Sequence, residues 1–392
     1  MNRLTSLAVL QLEQYDPVQF ERKSRAEINP EITKRLRWTG RLRITALLSY
    51  LLGVGLANRV VGIGVASAEQ LVWWRTRKRI RALKQGGMKV VAIAGSYGKT
   101  SVKLDLYELL RREYRTVATP EIFNTTLGIA ECLRWEVDPK TQVFIVEVAA
   151  YHTGEIAKLL KMVEPDLGIL TGIARQHLEK FGSWEAIVQA KSEIAVYMKQ
   201  VGGQLVANGS DKTVRESVEH IGGKVIWYGQ GGDRLAINLD GARKAAAILG
   251  VTKLKVDKVR PTKNRFELTT ERYGMAVIDD SFSSNDRGFV DAVKYLGKQG
   301  KYTRVLVTPG LVELGRESAK IHQELGKEII GKADIVILVG ENERTKNLEQ
   351  GMGGKVTIYH IGKTLEFMAL VKGLKLKKEP LVLLENDVTE NY

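Results

Sequence analysis

The chain has 392 residues, enough for two or three domains with full cores, and carries a formal charge of +15. Its single cysteine, Cys132, excludes an intrachain disulfide framework and fits a reducing, cytosolic setting. The charge invites a nucleic-acid partner, but its distribution argues against one. Residues 1–90 hold 17 Lys and Arg against 6 Asp and Glu, a net +11 that leaves +4 for the other three quarters of the chain, and no nucleic-acid recognition motif accompanies the excess.

Residues 1–86 form a basic, hydrophobic segment in which ITALLSYLLGVGLANRVVGIGVASAEQLVWW (44–74) lies between KRLRWTGRLR and RTRKRIRALK. A bilayer span needs about 20 apolar residues, and Asn58 and Arg59 split this stretch into two shorter pieces. A single span would also place one basic flank outside, against the positive-inside tendency. The pattern predicts a helical hairpin, interfacial or re-entrant, with both flanks on the cytoplasmic side. Trp73 and Trp74 would sit at headgroup level and the lysines and arginines on anionic lipid. The alternative is a pair of helices packed on the body or on another subunit. The first residues lack an apolar region long enough for a cleavable signal.

From residue 89 onward, apolar runs at 90–94, 143–148, 167–171, 204–208 and 225–228 alternate with helical patterns, which predicts a mostly parallel sheet covered on both faces. NLDGARKAAAILGV (238–251) predicts a helix ending in glycine. The pattern changes around VRPTKNRFEL, where Pro261 marks a boundary. A second series at 275–278, 304–308, 335–339, 356–360 and 381–384 predicts a smaller, Rossmann-like α/β domain. The expected organisation is a helical segment over 1–86, a central α/β domain over 87–260 and a C-terminal domain over 261–392.

Between the strand at 90–94 and the helically spaced leucines that follow lies Gly95-Ser96-Tyr97-Gly98-Lys99-Thr100-Ser101. At a strand-to-helix junction, backbone N–H groups and the helix N-terminus can cradle an anion. Glycine lets the backbone approach phosphate, Lys99 offers a point charge and Thr100 a hydroxyl for Mg2+. The generic motif asks for a glycine where Ile93 stands. Downstream, Glu147 ends an apolar strand, at the edge where open α/β sheets gather ligands. A carboxylate buried there is costly unless paired or bound to metal. Taken singly, His177 and Lys191 read as ordinary surface or core residues.

Together, GSYGKTS, the strand-end glutamate, HLEKFGS and AKSEI resemble the Mur ligases, ATP-dependent amide ligases of peptidoglycan precursor synthesis whose phosphate loop also lacks the first glycine. GEIAKLLKMVEPD, IDDSFSSN beside D-D-S-Y-N-A-N-P, and TPGLVELGRESAKIHQELG beside G-x-M-x-E-L-G and H-x-x-L-G place the resemblance nearest the MurF branch, which adds D-alanyl-D-alanine. The resemblance implies ATP and Mg2+, with Gly95 to Ser101 around the phosphates and Lys99 on the β and γ groups. It implies Thr100 and Glu147 on one Mg2+, and His177 at a second metal position. Lys191 would be carried as a CO2-derived carbamate, an anionic oxygen ligand suited to a hard cation. Asn238 would contact adenine, and Asn124 would lie near nucleotide or substrate. Arg265 and Asp280 would reach the nucleotide from the C-terminal domain when the domains close. The implied reaction turns a carboxylate into an acyl phosphate that an amine then captures.

The family normally begins with a domain for the UDP-sugar, and here the basic segment takes its place. Tyr151 stands where asparagine is usual, FNTTLGI replaces N-N-E-I-G, and Ser283 and Asp286 replace the asparagine and proline of N-A-N-P. The expected substrates are therefore a small-molecule or lipid-linked peptide carboxylate and D-Ala-D-Ala or a similar amine, acted on in the cytoplasm or at the cytoplasmic face of the membrane. Alternatives are a Mur-fold ligase with another acceptor and a membrane-bound nucleotide switch or ATPase that does not ligate.

Overall fold

The computed structural model describes residues 40–120, 123–252, 266–269, 273–281 and 285–386. The chain falls into two compact units divided between Arg75 and Thr76. The boundary lies within α1 (Gly40–Gln85), a single continuous helix of 46 residues. This corrects the expected hairpin. Asn and Arg lie within about 0.7 kcal/mol of alanine in helix propensity, and no proline interrupts residues 40–85, so nothing there breaks the i→i−4 ladder. Among the described residues, no helix is long and apolar enough to cross a membrane.

In the second unit the end of α1 is tied down by charge. Arg77 and Arg81 reach Glu164 at 2.7 and 2.6 Å, Lys84 pairs with Asp166 at 3.2 Å, and Ile80 is buried between these contacts along the helix. The chain then runs β1 (Lys89–Ala94), α2 (Lys99–Leu110), β2 (Thr116–Ala118), α3 (Thr126–Trp135), β3 (Val143–Glu147), α4 (Glu155–Val163), β4 (Leu167–Leu170), α5 (Leu178–Phe181), α6 (Trp184–Gln200), β5 (Gln204–Asn208), α7 (Lys212–Ile221), β6 (Lys224–Tyr228) and α8 (Arg234–Ile248). These strands form one parallel sheet in the order β2-β3-β1-β4-β5-β6. β1 connects onward to β2 on the β3 side, while its other neighbour β4 connects to β5 on the far side, so a crevice opens between the C-terminal ends of β1 and β4. Val91, Ile93, Ile145, Ile169 and Val206 pack against Leu106 and Leu110 of α2 in one core, which is why these strands read as unbroken apolar runs.

The remaining elements are β7 (Glu267–Thr269), β8 (Ala276–Asp280), α9 (Asp286–Gly297), β9 (Thr303–Thr308), a 3-10 turn at Gly315–Glu317, α10 (Ser318–Ile329), β10 (Ile335–Val339), α11 (Glu343–Met352), β11 (Thr357–Ile361), α12 (Glu366–Gly373) and β12 (Pro380–Glu385). They build a second sheet ordered β11-β10-β9-β12-β8-β7, parallel except for the antiparallel edge strand β7. Its core is formed by residues such as Val277, Val305, Ile337, Phe367 and Val382. On this sheet α10 and α11 cross at two glycines. A Cβ on Gly326 would lie 2.3 Å from the Leu348 carbonyl, and one on Gly351 equally close to that of Gln323. Gly326→Ala should force the helices apart and cost about 1–3 kcal/mol. Urea denaturation measures this, and an unchanged midpoint would mean that the crossing does not need the glycine.

Candidate active site

Backbone geometry at the end of β1 comes first. Gly98 adopts φ 81°, a left-handed conformation that favours glycine, and starts α2 with no side-chain cap. The first-turn N–H groups of α2 therefore point at an open position, the arrangement that suits an anion. Lys99 folds back so that its ammonium donates to the carbonyls of Gly95 at 2.8 Å and Ser96 at 3.3 Å. Thr100 and Ser101 follow in the first turn of α2, and the Thr100 hydroxyl donates to Glu147 Oε2 at 3.2 Å. Strand register makes that contact, because β3 pairs with β1 so that Glu147 lies beside Ile93, two residues before the loop.

Glu147 is only 3% exposed. Its counter-charge is Lys103, one turn after Lys99 and equally buried, whose ammonium lies 3.0 Å from the same Oε2. The sequence reading missed Lys103. The available signal was its position four residues after Lys99, on the same face of the helix as the loop lysine. The Thr100 hydroxyl and the Glu147 carboxylate are oxygen donors of the type Mg2+ takes. Among the described residues, no three His, Cys, Asp or Glu side chains form a metal cage, so an ion here would also need oxygens from a bound phosphate.

Lys191, on α6, is 2% exposed and donates to the Ala150 carbonyl at 3.1 Å just beyond the end of β3. Burial, and then the charge of Lys99, draw its pKa down to about 7 against the pull of Glu155 and Glu193. An appreciable fraction is then neutral amine near neutral pH. His177 caps α5 in a left-handed conformation and packs edge-on against Tyr151, 4.8 Å between ring centroids. Its Nδ1 is bonded to Glu313, which leaves Nε2 for a ligand, as when a carboxylate fixes a metal-binding imidazole. Burial pushes the imidazole pKa down, with Lys191 and Lys180 adding to it and Glu313 opposing. Burial pushes Glu313 up, but its bond to His177 and the charges of His177 and Lys180 hold it at about 2. Glu313 belongs to the GLVELG stretch quoted above, yet sequence alone gave it no role.

Asn238, the residue expected against adenine, is buried on α8, with its side-chain oxygen close over Gly98 of the loop. It lines a cavity of about 640 Å3 with Tyr97, Asn208 and Arg234 on one side and Asp286, Arg287 and Lys294 of α9 on the other. Asp280 is buried at the end of β8 and pairs with Arg234 at 3.0 Å. Arg265 lies outside the described residues, as does Ser283. Asn124 accepts a backbone bond from Ala149 at 3.3 Å, which places it beside the exit of β3.

The comparisons with known proteins bear on this arrangement. The model of the Mur ligase middle domain matches residues 93–274, and that of the Mur ligase glutamate ligase domain matches residues 264–384. The chain is 27% identical over 333 residues to the UDP-N-acetylmuramoyl-tripeptide--D-alanyl-D-alanine ligase of Mycobacterium tuberculosis. That alignment takes in 72% of this chain but only 62% of the relative. The corresponding Escherichia coli ligase is 26% identical over 308 residues, 68% of this chain and 67% of the relative. The crystal structure of MurF ligase from Thermotoga maritima in complex with ADP shares the fold with a TM-score of 0.70 at 23% identity, covering 81% of this chain and 80% of that one. MurF from Acinetobacter baumannii matches with a TM-score of 0.69 at 22% identity, covering 81% and 77%. Both family domains are thus present in order over residues 93–384, and the chain belongs to the Mur ligase family, on its MurF-like side.

Proposed function

We infer that the protein is an ATP-dependent amide ligase that activates a peptide carboxylate as an acyl phosphate and joins it to D-alanyl-D-alanine, acting on a muramyl peptide. The observation that carries this reading is the contact between Thr100, next to the loop lysine, and the buried strand-end Glu147. It is supported by relatives named as D-alanyl-D-alanine ligases and by the fold shared with an ADP-bound ligase. Lys99 and the first turn of α2 would bind and orient the triphosphate. Thr100 and Glu147 would hold Mg2+, which neutralises phosphate charge when bound. Direct amine attack on a carboxylate fails because oxide is a poor leaving group, and phosphoryl transfer supplies a good one. Protein catalysis then consists mainly of positioning and charge stabilisation.

ADP formation by the purified protein should require both a muramyl peptide carboxylate and D-Ala-D-Ala, and Lys99→Ala should lower it by at least about a hundredfold. ADP release with a different amine in place of D-Ala-D-Ala would favour the reading of a Mur-fold ligase with another acceptor. Turnover that ignores every carboxylate and amine would favour a nucleotide switch.

Lys191 is the proposed carbamate. The buried amine is held near neutrality, and reaction with CO2 would replace an ammonium, which repels Mg2+, with an anionic oxygen ligand beside His177. Lys191→Ala should lose ADP formation, and short carboxylic acids such as acetate should restore part of it. Full activity without rescue would remove this role.

Attachment to the cytoplasmic face of a membrane is the further proposal for α1. Leu71 and Trp74 are 51% and 55% exposed beside Arg75 and Lys78, a basic and aromatic surface suited to anionic headgroups. The full chain should co-sediment with vesicles rich in phosphatidylglycerol but not with neutral ones, and Leu71→Ser with Trp74→Ser should weaken binding. Equal recovery with both vesicle types would refute it.

A further inference from the structure

At the start of α9, Asp286 and Arg287 of the C-terminal half grip two loops of the central sheet. Arg287 donates from Nη1 to Asp211 Oδ1 and from Nη2 to Thr213 Oγ1, both at 2.9 Å. The Asp211 side chain is fully buried. Its other oxygen accepts from the Tyr97 hydroxyl at 2.7 Å and from the backbone N–H of Ile173 at 3.0 Å. Tyr97 is part of the phosphate loop, and that loop is laced to the chain after β4. Ser96 N–H donates to the Gly172 carbonyl at 2.7 Å, and the Thr171 hydroxyl donates to the backbone carbonyl of Tyr97 at 2.6 Å. Asp286 acts two residues before His177, where its Oδ1 accepts the Arg175 N–H at 3.0 Å. The family pattern has proline at the position of Asp286, and proline can offer no such acceptor.

We propose that Arg287, seated by Asp286, is a positioning residue that couples docking of the C-terminal half to the shape of the phosphate loop, acting through Asp211 on Tyr97. The inference rests on the nucleotide reading of that loop. A guanidinium holds one carboxylate oxygen while the phenol holds the other, so the orientation of the carboxylate is shared between the two halves. When Arg287 is removed, Asp211 keeps Tyr97, Ile173 and the first-turn N–H groups of Thr213 and Val214 as donors. The carboxylate stays solvated by the protein and the fold survives, but its orientation is no longer fixed from the C-terminal side.

Titration calorimetry of ATP into the full chain tests this without any acceptor. Arg287→Ala and Tyr97→Phe should each weaken ATP binding by about tenfold, and the double variant should be no weaker than either single one, as expected for residues acting through one path. Arg287→Lys, which keeps the cation, should recover part of the loss. Arg304→Ala removes an ion pair to Asp334 at the opposite end of the second sheet and should lower stability while leaving ATP binding intact. Losses that multiply in the double variant would place the effect of Arg287 outside Tyr97 and overturn the proposal, as would a lower melting temperature with unchanged affinity. A wild-type protein that does not bind ATP would remove the nucleotide reading and this inference with it. A wild type that binds normally, with variants that bind equally well, would sink the coupling alone.

Discussion

A carboxylate kept out of water governs this molecule. Glu147 sits at the end of a strand enclosed on both faces, where an isolated negative charge would cost several kcal/mol even after relaxation. Lys103 offsets that cost with an equally enclosed ammonium, and Thr100 adds a hydroxyl. Both partners come from α2, so the helix that presents the loop lysine is also the helix that neutralises the strand end. Register between β1 and β3 brings Glu147 to the first turns of α2, where both partners meet it. Any cation entering the site meets an acid already shared with a lysine.

Beyond that edge, positive charge accumulates. The charge of Lys99 helps to lower the pKa of Lys191, the charge of Lys191 helps to lower that of His177, and Glu313 of the second half opposes the latter. Basic side chains gathered around a glycine loop suit a polyanion. The same balance makes the two halves of the second unit interdependent, since Glu313, Asp286, Arg287 and Asp280 each find their partner across the junction between the sheets.

Much of this was legible in the sequence, and the omissions have physical causes. Strands enclosed on both faces appear as unbroken apolar runs, so β1, β3, β4 and β10 fell where their composition placed them. The short strands β2 and β7 were missed, since three residues with threonine among them carry no periodicity. The helix expected from residue 238 begins at Arg234, because the Asp233 side chain caps it by accepting from Ala236 N–H at 2.9 Å behind a run of glycines that reads as loop. The hairpin expected in the N-terminal segment was wrong because polarity is not a helix breaker. Thr100 and Glu147, far apart in the chain, lie in contact, whereas Asp211, Arg287 and Glu313 have meaning only through partners distant in the chain, which no local pattern encodes.

The grip of α1 on Glu164 and Asp166 lies at the entrance of β4, and the phosphate loop at the exit of β1 next to it. A strand of five residues spans about 17 Å, so a load borne by the arginines of α1 is applied at the rear of the sheet while the chemical edge looks away from it. Arg77, Arg81 and Lys84 thus brace the far end of the sheet and leave the phosphate-loop edge to its own contacts.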